Sequence, residues 1–387
     1  MYHHMESTST YNKNNPFLAR ISERFLLGNG TSQKNTFHLT LDIEGSGISY
    51  QIGDSIAIQP KNDPQIVDKT LMALRAKGDE TVVDRQSCSF SLREFLSNKG
   101  NVAEVPRKLI GILAERQTDP NKKERLNLLI SEGQKDILKE YQKAHEVWDT
   151  LAENQEVMIT PQELCSILQP LLPRFYSIAS SMRAVGNKVD LTVAELKYET
   201  NGQLRRGVCT NYLCRLVTLH DPVIPVYIQP NHGFTLPEND DAPIIMIGPG
   251  TGVAPYRGFM QERMERGAAG ENWLFFGEWH RDTEFFYEEY WSELMSQGKL
   301  LIETAFSRDQ EHKIYVQHRI LEKGREIFDW LERGAYIYVC GDAHRMAKDV
   351  DAAIHQVIKE HGNFDENIAK EYVKRLKSEK RYLRDVY

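Results

Sequence analysis

A glycine-rich stretch at residues 248–255 (GPGTGVAP) has the composition needed to bind a phosphate group. It follows an apolar run at 243–247, typical of a buried strand, and precedes residues 256–263, which favour a helix. A strand, a glycine-rich turn and a helix form the layout that holds a dinucleotide pyrophosphate. Gly250 and Gly252 would let backbone N–H groups approach the phosphates. The spacing is not G-x-G-x-x-G, so an ordinary tight turn is the alternative.

A second candidate site lies after a predicted strand that ends at Phe306. Ser307, Arg308 and Lys313 supply a hydroxyl and two cations, which together suit the 2′-phosphate of a dinucleotide. The acidic residue that NAD-binding proteins carry at such a strand end is absent, so the pattern favours NADPH over NADH. A solvated charged loop is the alternative.

The elements that position these residues fall into two parts of the chain with different sequence patterns. The first part is rich in short strands. Alternation of apolar and polar residues predicts strands at 17–27 and 35–43. The stretch 50–60 is predicted to form a turn followed by a strand. Strand character returns after residue 174, which indicates an antiparallel barrel interrupted by a helical insertion at 64–170. The later strands of this barrel are predicted at 174–179, 188–198 and 222–229, with a helix at 211–219. The helices of the insertion are predicted at 63–77, 91–96, 106–115, 122–149 and 161–168.

After residue 243 strands and helices alternate. This alternation predicts a doubly wound parallel sheet. The predicted fold class is therefore β for the first part of the chain, with its helical insertion, and α/β for the second part. We therefore expect a disordered tail at 1–15, a barrel domain at 16–236 and an α/β domain at 237–387. The strands of the second domain are predicted at 243–247, 272–276, 300–305 and 336–340, and its last helices at 342–360 and 366–377.

Composition excludes several classes of protein. The net charge of -7 argues against a nucleic-acid partner. No apolar run is long enough to span a bilayer, and the polar N-terminus, which contains His3 and His4, lacks the apolar region of a signal peptide. The 5 cysteines are odd in number and form no C-x-x-C pair, which fits reduced thiols in a cytoplasm. We expect a cytoplasmic protein with no metal site and no membrane contact.

Several motifs occur in order along the chain, and as a set they resemble the ferredoxin–NADP reductase superfamily. Within it the chain resembles the diflavin reductases, and among these the flavoprotein subunits of NADPH-dependent assimilatory sulfite reductases. The resemblance runs from about residue 16 to the end and implies an FAD-binding barrel, a helical connecting insertion and an NADP-binding domain. The motifs are RFYS at 174–177, GVCT at 207–210, GPGTGVAP, SR at 307–308, KIYVQ at 313–317, YVCGD at 338–342 and RYLRDVY at 381–387.

The resemblance implies roles for the residues of the FAD site. Arg174 would contact the pyrophosphate, Tyr176 would stack on the isoalloxazine, and Ser177 would hydrogen-bond near flavin N5. From residue type alone, a surface arginine and a core aromatic ring are the alternatives for the first two. The other residues that the resemblance assigns to FAD are Phe175, Thr192, Val193, Ala194, Tyr198, Gly207, Val208, Cys209 and Thr210.

The resemblance also implies a nicotinamide site. Cys340 would position the nicotinamide without covalent chemistry, Asp385 would pair with Ser177 and Cys340, and Tyr387 would cover the flavin and move aside for the nicotinamide. An ordinary buried cysteine and a frayed chain end are the alternatives. The residues assigned to NADPH are Gly250, Thr251, Gly252, Ser307, Arg308, Lys313, Ile314, Tyr315, Val316, Gln317 and Asp349.

These roles imply hydride transfer from NADPH to FAD. Diflavin reductases also carry an FMN domain before the barrel, and the sequence has no phosphate loop of that kind, so we expect the FAD and NADPH half alone. We therefore expect a separate electron acceptor: a flavodoxin, a ferredoxin, an FMN protein or a sulfite reductase hemoprotein. A general NADPH–flavodoxin or ferredoxin reductase is one alternative function. A catalytically silent docking subunit that binds flavin is another.

Overall fold

A computed structural model of the protein describes residues 11–387. His3, His4 and most of the predicted tail lie outside the described residues; Asn12 and Asn15, at the end of that tail, pair in a tight turn. The chain forms two compact units. The first comprises the described part of Met1–Ala57 together with Phe175–Ala194 and Leu219–Tyr387, and the second comprises Ile58–Arg174 and Glu195–Thr218.

The strands and helices are numbered in chain order. The strands are β1 (Phe17–Leu26), β2 (Thr36–Asp42), β3 (Ser55–Ile58), β4 (Thr81–Val83), β5 (Ser89–Ser91), β6 (Arg174–Ser177), β7 (Lys188–Ala194), β8 (Lys197–Thr200), β9 (Gln203–Arg206), β10 (Ile224–Gln229), β11 (Ile244–Ile247), β12 (Asn272–Glu278), β13 (Leu301–Phe306), β14 (Tyr336–Gly341) and β15 (Tyr382–Val386). The helices are α1 (Pro64–Leu74), α2 (Leu92–Asn98), α3 (Arg107–Arg116), α4 (Pro120–Ile130), α5 (Lys135–Ala144), α6 (Val147–Glu153), α7 (Pro161–Ile167), α8 (Met182–Val185), α9 (Val208–Asn211), α10 (Ala254–Arg266), α11 (Arg281–Glu284), α12 (Glu288–Ser296), α13 (Val316–Glu322), α14 (Gly324–Glu332), α15 (Met346–His361) and α16 (Glu366–Ser378).

The first sheet has six strands in the order β6-β3-β10-β1-β2-β7. Strand β1 pairs antiparallel with both β2 and β10, and β2 pairs antiparallel with β7. Ala19 and Ile21 of β1 and Leu39 and Leu41 of β2 are fully buried, which explains the alternation seen in the sequence. The predicted antiparallel sheet is therefore confirmed.

The predicted strand at 188–198 is interrupted. Strand β7 ends at Ala194, and β8 starts a separate hairpin with β9. Between them lies Glu195, whose buried carboxylate accepts hydrogen bonds from Arg206 and Arg215. A buried carboxylate needs charged partners, and Arg206 and Arg215 supply them to Glu195 at the point where β7 ends.

The second unit is mainly helical, as predicted for the insertion. Its helices begin with recognisable caps: the side chain of Asp63 caps α1, and Thr160 and Glu163 form a capping box on α7. The hairpin of β4 and β5, which the sequence did not reveal, also belongs to it.

The prediction of one helix at 122–149 is wrong, because α4, α5 and α6 occupy that stretch. Gly133, at φ +83°, separates α4 from α5. His145 Nδ1 hydrogen-bonds the Tyr141 carbonyl at 3.0 Å and stops α5, and Glu146 then caps α6. Local polar contacts thus break a continuous helical pattern.

The second sheet has five parallel strands in the order β13-β12-β11-β14-β15. Alternate residues of β11 enter two different cores: Ile245 and Ile247 pack among α13–α16, and Ile244 and Met246 pack among α10 and α12. Both faces are covered by helices, so the predicted doubly wound sheet is confirmed. The sequence missed the fifth strand, β15, which carries Asp385.

The part of the chain that the structure describes contains no helix with the length and apolar character needed to cross a membrane.

Candidate functional site

Ser177, Cys340 and Asp385 come together in the first unit. Ser177 lies at the end of β6, and Cys340 and Asp385 lie opposite each other in the paired strands β14 and β15. Ser177 Oγ donates a hydrogen bond to Asp385 Oδ2 at 2.9 Å, and Cys340 Sγ lies 4.0 Å from the same oxygen. The structure therefore brings the three predicted catalytic residues together around one carboxylate oxygen.

Burial governs the protonation of this cluster. Burial raises the pKa of the Asp385 carboxyl above its usual value, and the hydrogen bond from Ser177 opposes that shift. Burial also raises the pKa of the Cys340 thiol well above its usual value, and the charge of Asp385 adds to this effect. A thiol with a raised pKa stays neutral, so Cys340 is unsuited to act as a nucleophile.

The glycine-rich loop packs directly against Cys340. Residues Gly250–Val253 form a short 3₁₀ turn that leads into α10, and Gly250 has φ +59°, a conformation that favours glycine. A Cβ atom at Gly252 would collide with the Cys340 carbonyl oxygen. The loop needs its glycines both for its conformation and for this close approach.

Tyr387 is anchored by its backbone beside the same loop. Its N–H donates to the Gly341 carbonyl at 3.1 Å, and its own carbonyl accepts from Ala343 N–H at 3.1 Å. Its hydroxyl is 3.1 Å from Thr251 Oγ1, and the residue is 63% exposed. The last residue is thus held in place by its backbone, and its hydroxyl contacts the glycine loop.

Two of the predicted 2′-phosphate residues, Ser307 and Arg308, directly follow β13 and are hydrogen-bonded to the carboxyl end of β12. Ser307 N–H donates to the Glu278 carbonyl at 2.8 Å, and Arg308 N–H donates to the Trp279 carbonyl at 2.9 Å. Among residues 11–387, neither the Arg308 guanidinium nor the Lys313 ammonium forms an ion pair with a carboxylate. Both side chains are exposed cations, as an anion-binding site requires.

The 313–317 motif contributes partly through its backbone. Ile314 and Val316 pack into the core of the parallel sheet, so their side chains are not available to a ligand. Tyr315 is 42% exposed and caps α13, and Gln317 Nε2 donates to Asp349 Oδ2 at 3.3 Å. Gln317 and Asp349, predicted separately, are therefore neighbours.

The predicted flavin-binding residues of the first unit lie on β6 and β7. Tyr176 is half-buried and Phe175 is 53% exposed. The Thr192 hydroxyl is 2.7 Å from the Tyr287 hydroxyl, Val193 is fully buried, and Ala194 is exposed. The contact of Thr192 with Tyr287 fixes the end of β7 against the helical layer.

In the second unit, Gly207 is the N-cap of α9, and Thr210 Oγ1 donates to its carbonyl at 3.2 Å. Helix α9 continues as a π-helix, Tyr212–Leu216, so the predicted helix at 211–219 is wrong in start and form. Cys209 is buried, which agrees with a small filler rather than a nucleophile. The remaining members of the predicted set here are Arg174, exposed on β6, Tyr198, 43% exposed on β8, and Val208, the first residue of α9.

Sequence reasoning missed Lys34, Glu278 and Trp279. The Lys34 ammonium lies 3.0 Å from a Glu278 carboxylate oxygen and 3.8 Å from the centre of the Trp279 ring. Trp279 directly follows β12, and β12 pairs in parallel with β13, the strand that precedes Arg308. The carboxyl ends of neighbouring parallel strands lie at the same edge of a sheet. The position of Trp279 at the end of a strand that neighbours β13 could therefore have identified it from the sequence.

Comparison with known proteins defines the chain's class. Residues 9–212, more than half of the chain, match the FAD binding domain family. The chain belongs to this family of FAD-binding proteins. Residues 246–352 match a second family, the oxidoreductase NAD-binding domain, over the parallel sheet. The predicted FAD-binding domain and the predicted domain for a nicotinamide nucleotide are therefore confirmed.

Similar proteins extend this FAD-binding assignment. The chain is 38% identical over 381 residues to the sulfite reductase [NADPH] flavoprotein alpha-component of Bacillus subtilis, covering 98% of this chain and 62% of that protein. It is 40% identical to the protein of the same name from Vibrio cholerae, covering 98% of this chain and 60% of that protein. The predicted resemblance to sulfite reductase flavoproteins is confirmed, and the chain spans about 60% of the length of these relatives.

Proposed function

We propose that the protein takes electrons from NADPH into bound FAD and passes them to a separate protein acceptor. The observation that carries this proposal is the junction of Ser177, Asp385 and Cys340, which connects the flavin strand β6 to the glycine loop of the dinucleotide domain. The three residues to which the family resemblance gives catalytic roles thus share one carboxylate oxygen, Asp385 Oδ2.

The residues present fit a dinucleotide with a 2′-phosphate. The glycine loop has Cys340 on one side, and on the other a Cβ atom at Gly250 would lie 3.4 Å from Glu278 Oε1, next to Trp279. Cys340 and the Glu278–Trp279 end of β12 thus flank the loop at which the pyrophosphate would bind. The uncapped start of α10 would favour the pyrophosphate charge. The exposed cations Arg308 and Lys313 would bind the 2′-phosphate.

The flavin that Arg174, Tyr176 and Ser177 would hold would supply, when bound, the chemistry of taking up a hydride and giving up single electrons. The side chains orient this exchange. Ser177 donates to Asp385, which fixes the serine hydroxyl at the end of β6, and the neutral Cys340 thiol fills the space beside it. Tyr387 would exclude water from a bound flavin until its ring moves.

The other flavin roles rest on residue type and position. Tyr176 offers a half-buried ring for stacking, and Arg174 an exposed guanidinium that forms no ion pair among the described residues. Helix α9 offers backbone amides after Gly207. These are the chemical groups that a flavin ring and a pyrophosphate require.

The experiment begins with the purified full chain. We expect a yellow protein with bound FAD that reduces ferricyanide with NADPH and much more slowly with NADH. A colourless protein that does not take up added FAD would contradict the flavin assignment. Equal rates with the two nucleotides would contradict the NADPH preference. No turnover with a fully bound flavin would favour the silent docking subunit.

For the acceptor, we propose a sulfite reductase hemoprotein, because the relatives' names describe the flavoprotein component of such an enzyme. Sulfite reduction by added hemoprotein, with and without flavodoxin, tests it. Reduction that proceeds only with flavodoxin or ferredoxin would favour the general reductase.

The domain boundaries and the cellular location of the protein are also proposals. We place the FAD domain at 16–236 and the NADP domain at 237–387, and limited proteolysis near residue 237 tests that boundary. We propose a cytoplasmic location, since all five cysteines, Cys88, Cys165, Cys209, Cys214 and Cys340, are free thiols in the structure. Fractionation of expressing cells tests it.

A further inference from the structure

The side chain of Trp279 lies beneath two cations. Arg308 Cζ is 3.5 Å and Lys34 Nζ is 3.8 Å from the centre of its ring. These distances are well within the range of a cation–π interaction. The ring is half-buried at the end of β12, between the glycine loop and the segment that follows β13.

The backbone fixes this arrangement. Arg308 N–H donates to the Trp279 carbonyl at 2.9 Å, and Trp279 N–H donates to Glu278 Oε2 at 2.8 Å. The ring and the guanidinium therefore start from backbones that are hydrogen-bonded to each other. This backbone contact keeps the ring close to the base of the Arg308 side chain.

The two cations differ in their charge balance. Lys34 is neutralised by Glu278 at 3.0 Å, whereas Arg308 has no carboxylate partner among the described residues. Arg308 Cζ lies 3.5 Å from the centre of the Trp279 ring, and a guanidinium stacked on a ring keeps its N–H donors at the edge of its plane. Stacking thus leaves the donors free for an anion.

We propose that Trp279 is a positioning residue that sets the preference for NADPH by holding Arg308 ready for the 2′-phosphate. A free arginine loses much rotamer entropy when it binds, and an arginine already stacked on a ring loses less. Trp279 itself need not touch the phosphate. The inference rests on the proposed function, in which Arg308 binds the 2′-phosphate.

The test compares 2′,5′-ADP with 5′-AMP, which lacks the 2′-phosphate, by titration calorimetry on the full-length, FAD-loaded protein. For Trp279→Leu we expect the Kd of 2′,5′-ADP to rise about fivefold, the scale of a cation–π contact. The Kd of 5′-AMP should not change. Trp279→Phe keeps an aromatic face and should raise the Kd of 2′,5′-ADP by only about twofold.

Steady-state kinetics provide a second measurement. In Trp279→Leu the KM for NADPH should rise by the same factor while kcat and the KM for NADH stay constant, because only the 2′-phosphate contact weakens. A structural defect would instead change both nucleotides or kcat. In the wild type, 2′,5′-ADP should also alter tryptophan fluorescence, and Trp279→Phe should abolish this change.

Trp148 provides a matched control. Its ring also lies beneath two cations, with Lys69 Nζ at 4.4 Å and Arg205 Cζ at 5.4 Å, but it belongs to the helical unit. Trp148→Leu should leave the Kd of 2′,5′-ADP unchanged.

Two negative results are distinguishable. If the wild type binds 2′,5′-ADP no better than 5′-AMP, the assignment of Arg308 in the proposed function is wrong. If the wild type prefers 2′,5′-ADP and Trp279→Leu keeps that preference, the role of Trp279 is refuted.

Discussion

Ser177 Oγ donates a hydrogen bond of 2.9 Å to Asp385 Oδ2, although 208 positions separate the two residues in the chain. The bond joins β6 of the antiparallel sheet to β15, the last strand of the parallel sheet. It therefore fixes the strand that carries the proposed flavin contacts to the strand beside Cys340.

Replacing Ser177 by alanine removes the donor at this junction. We expect flavin reduction by NADPH, measured by stopped flow, to slow by about a hundredfold, the usual effect of losing one preorganised polar contact. The Kd for NADPH should hardly change, because Ser177 is not among the proposed phosphate ligands. Ser166→Ala, at an exposed position on α7, is the control. A normal reduction rate in Ser177→Ala would refute its catalytic role.

Asp385→Asn should change how stability depends on pH. Burial raises the pKa of Asp385 above 3.8, so its contribution to stability is full below pH 3.8 and is lost as pH rises through the folded-state pKa. Asparagine does not titrate and still accepts from Ser177. Urea unfolding between about pH 4 and pH 8 should show the wild type losing stability relative to the variant.

Ser177→Ala provides the control for this effect. It removes the hydrogen bond that lowers the Asp385 pKa, so the stability loss should move to higher pH than in the wild type. Parallel stability curves for wild type and Asp385→Asn would contradict the assignment.

Tyr387→Ser removes the ring that we propose as a gate. If the ring occupies the nicotinamide position, its removal should tighten NADP⁺ binding by about tenfold. The reason is that no free energy is then needed to move the ring away before the nicotinamide binds. Titration of the flavin absorbance measures this Kd. Tyr387→Phe keeps the ring and loses only the Thr251 contact, so it should bind NADP⁺ nearly as the wild type does. Unchanged affinity in Tyr387→Ser would show that the ring is not a gate.

Asp190 should stabilise the protein through a buried ion pair. Arg257 Nη1 lies 2.7 Å from its carboxylate, and His38 Nε2 lies 3.6 Å away. Burial raises the pKa of Asp190, but His38 and Arg257 outweigh burial and lower it to about 2. Its contribution of about 2 kcal/mol is therefore full above pH 3.8 and is lost as pH falls through about 2.

Asp190→Asn leaves Arg257 without its charged partner. We expect a loss of about 3 kcal/mol in the free energy of unfolding at neutral pH, and a weaker dependence of stability on acid. Asp68→Asn, which breaks an exposed pair with Arg93, should cost less than about 1 kcal/mol. Equal losses in the two variants would show that the Asp190 pair contributes no more than a surface pair.

Arg308→Ala tests nucleotide preference directly. The KM for NADPH should rise by about a hundredfold or more, and the KM for NADH should change little, because only NADPH carries the 2′-phosphate. Arg325→Ala, on the exposed face of α14, is the control for loss of a surface charge. An equal rise in both KM values would refute the 2′-phosphate assignment.

The sequence by itself determined the fold class and the chemistry of the motifs. Alternating apolar residues predicted the antiparallel strands, and the strand–glycine–helix pattern at 243–263 predicted the turn before α10. Glycines at 250 and 252 could be assigned because their requirement is local: a positive φ and the absence of a side chain. Ser177, Cys340 and Asp385 were predicted from the family resemblance.

The tertiary structure alone decided which residues meet. Strand β15 is short, follows an exposed turn and resembles a frayed end in sequence, yet its pairing with β14 places Asp385 opposite Cys340. The stacking of Lys34 and Arg308 on Trp279 brings together residues from three distant segments. Sequence patterns report local backbone preference and burial, whereas such meetings depend on strand order, which is set by the packing of the whole sheet.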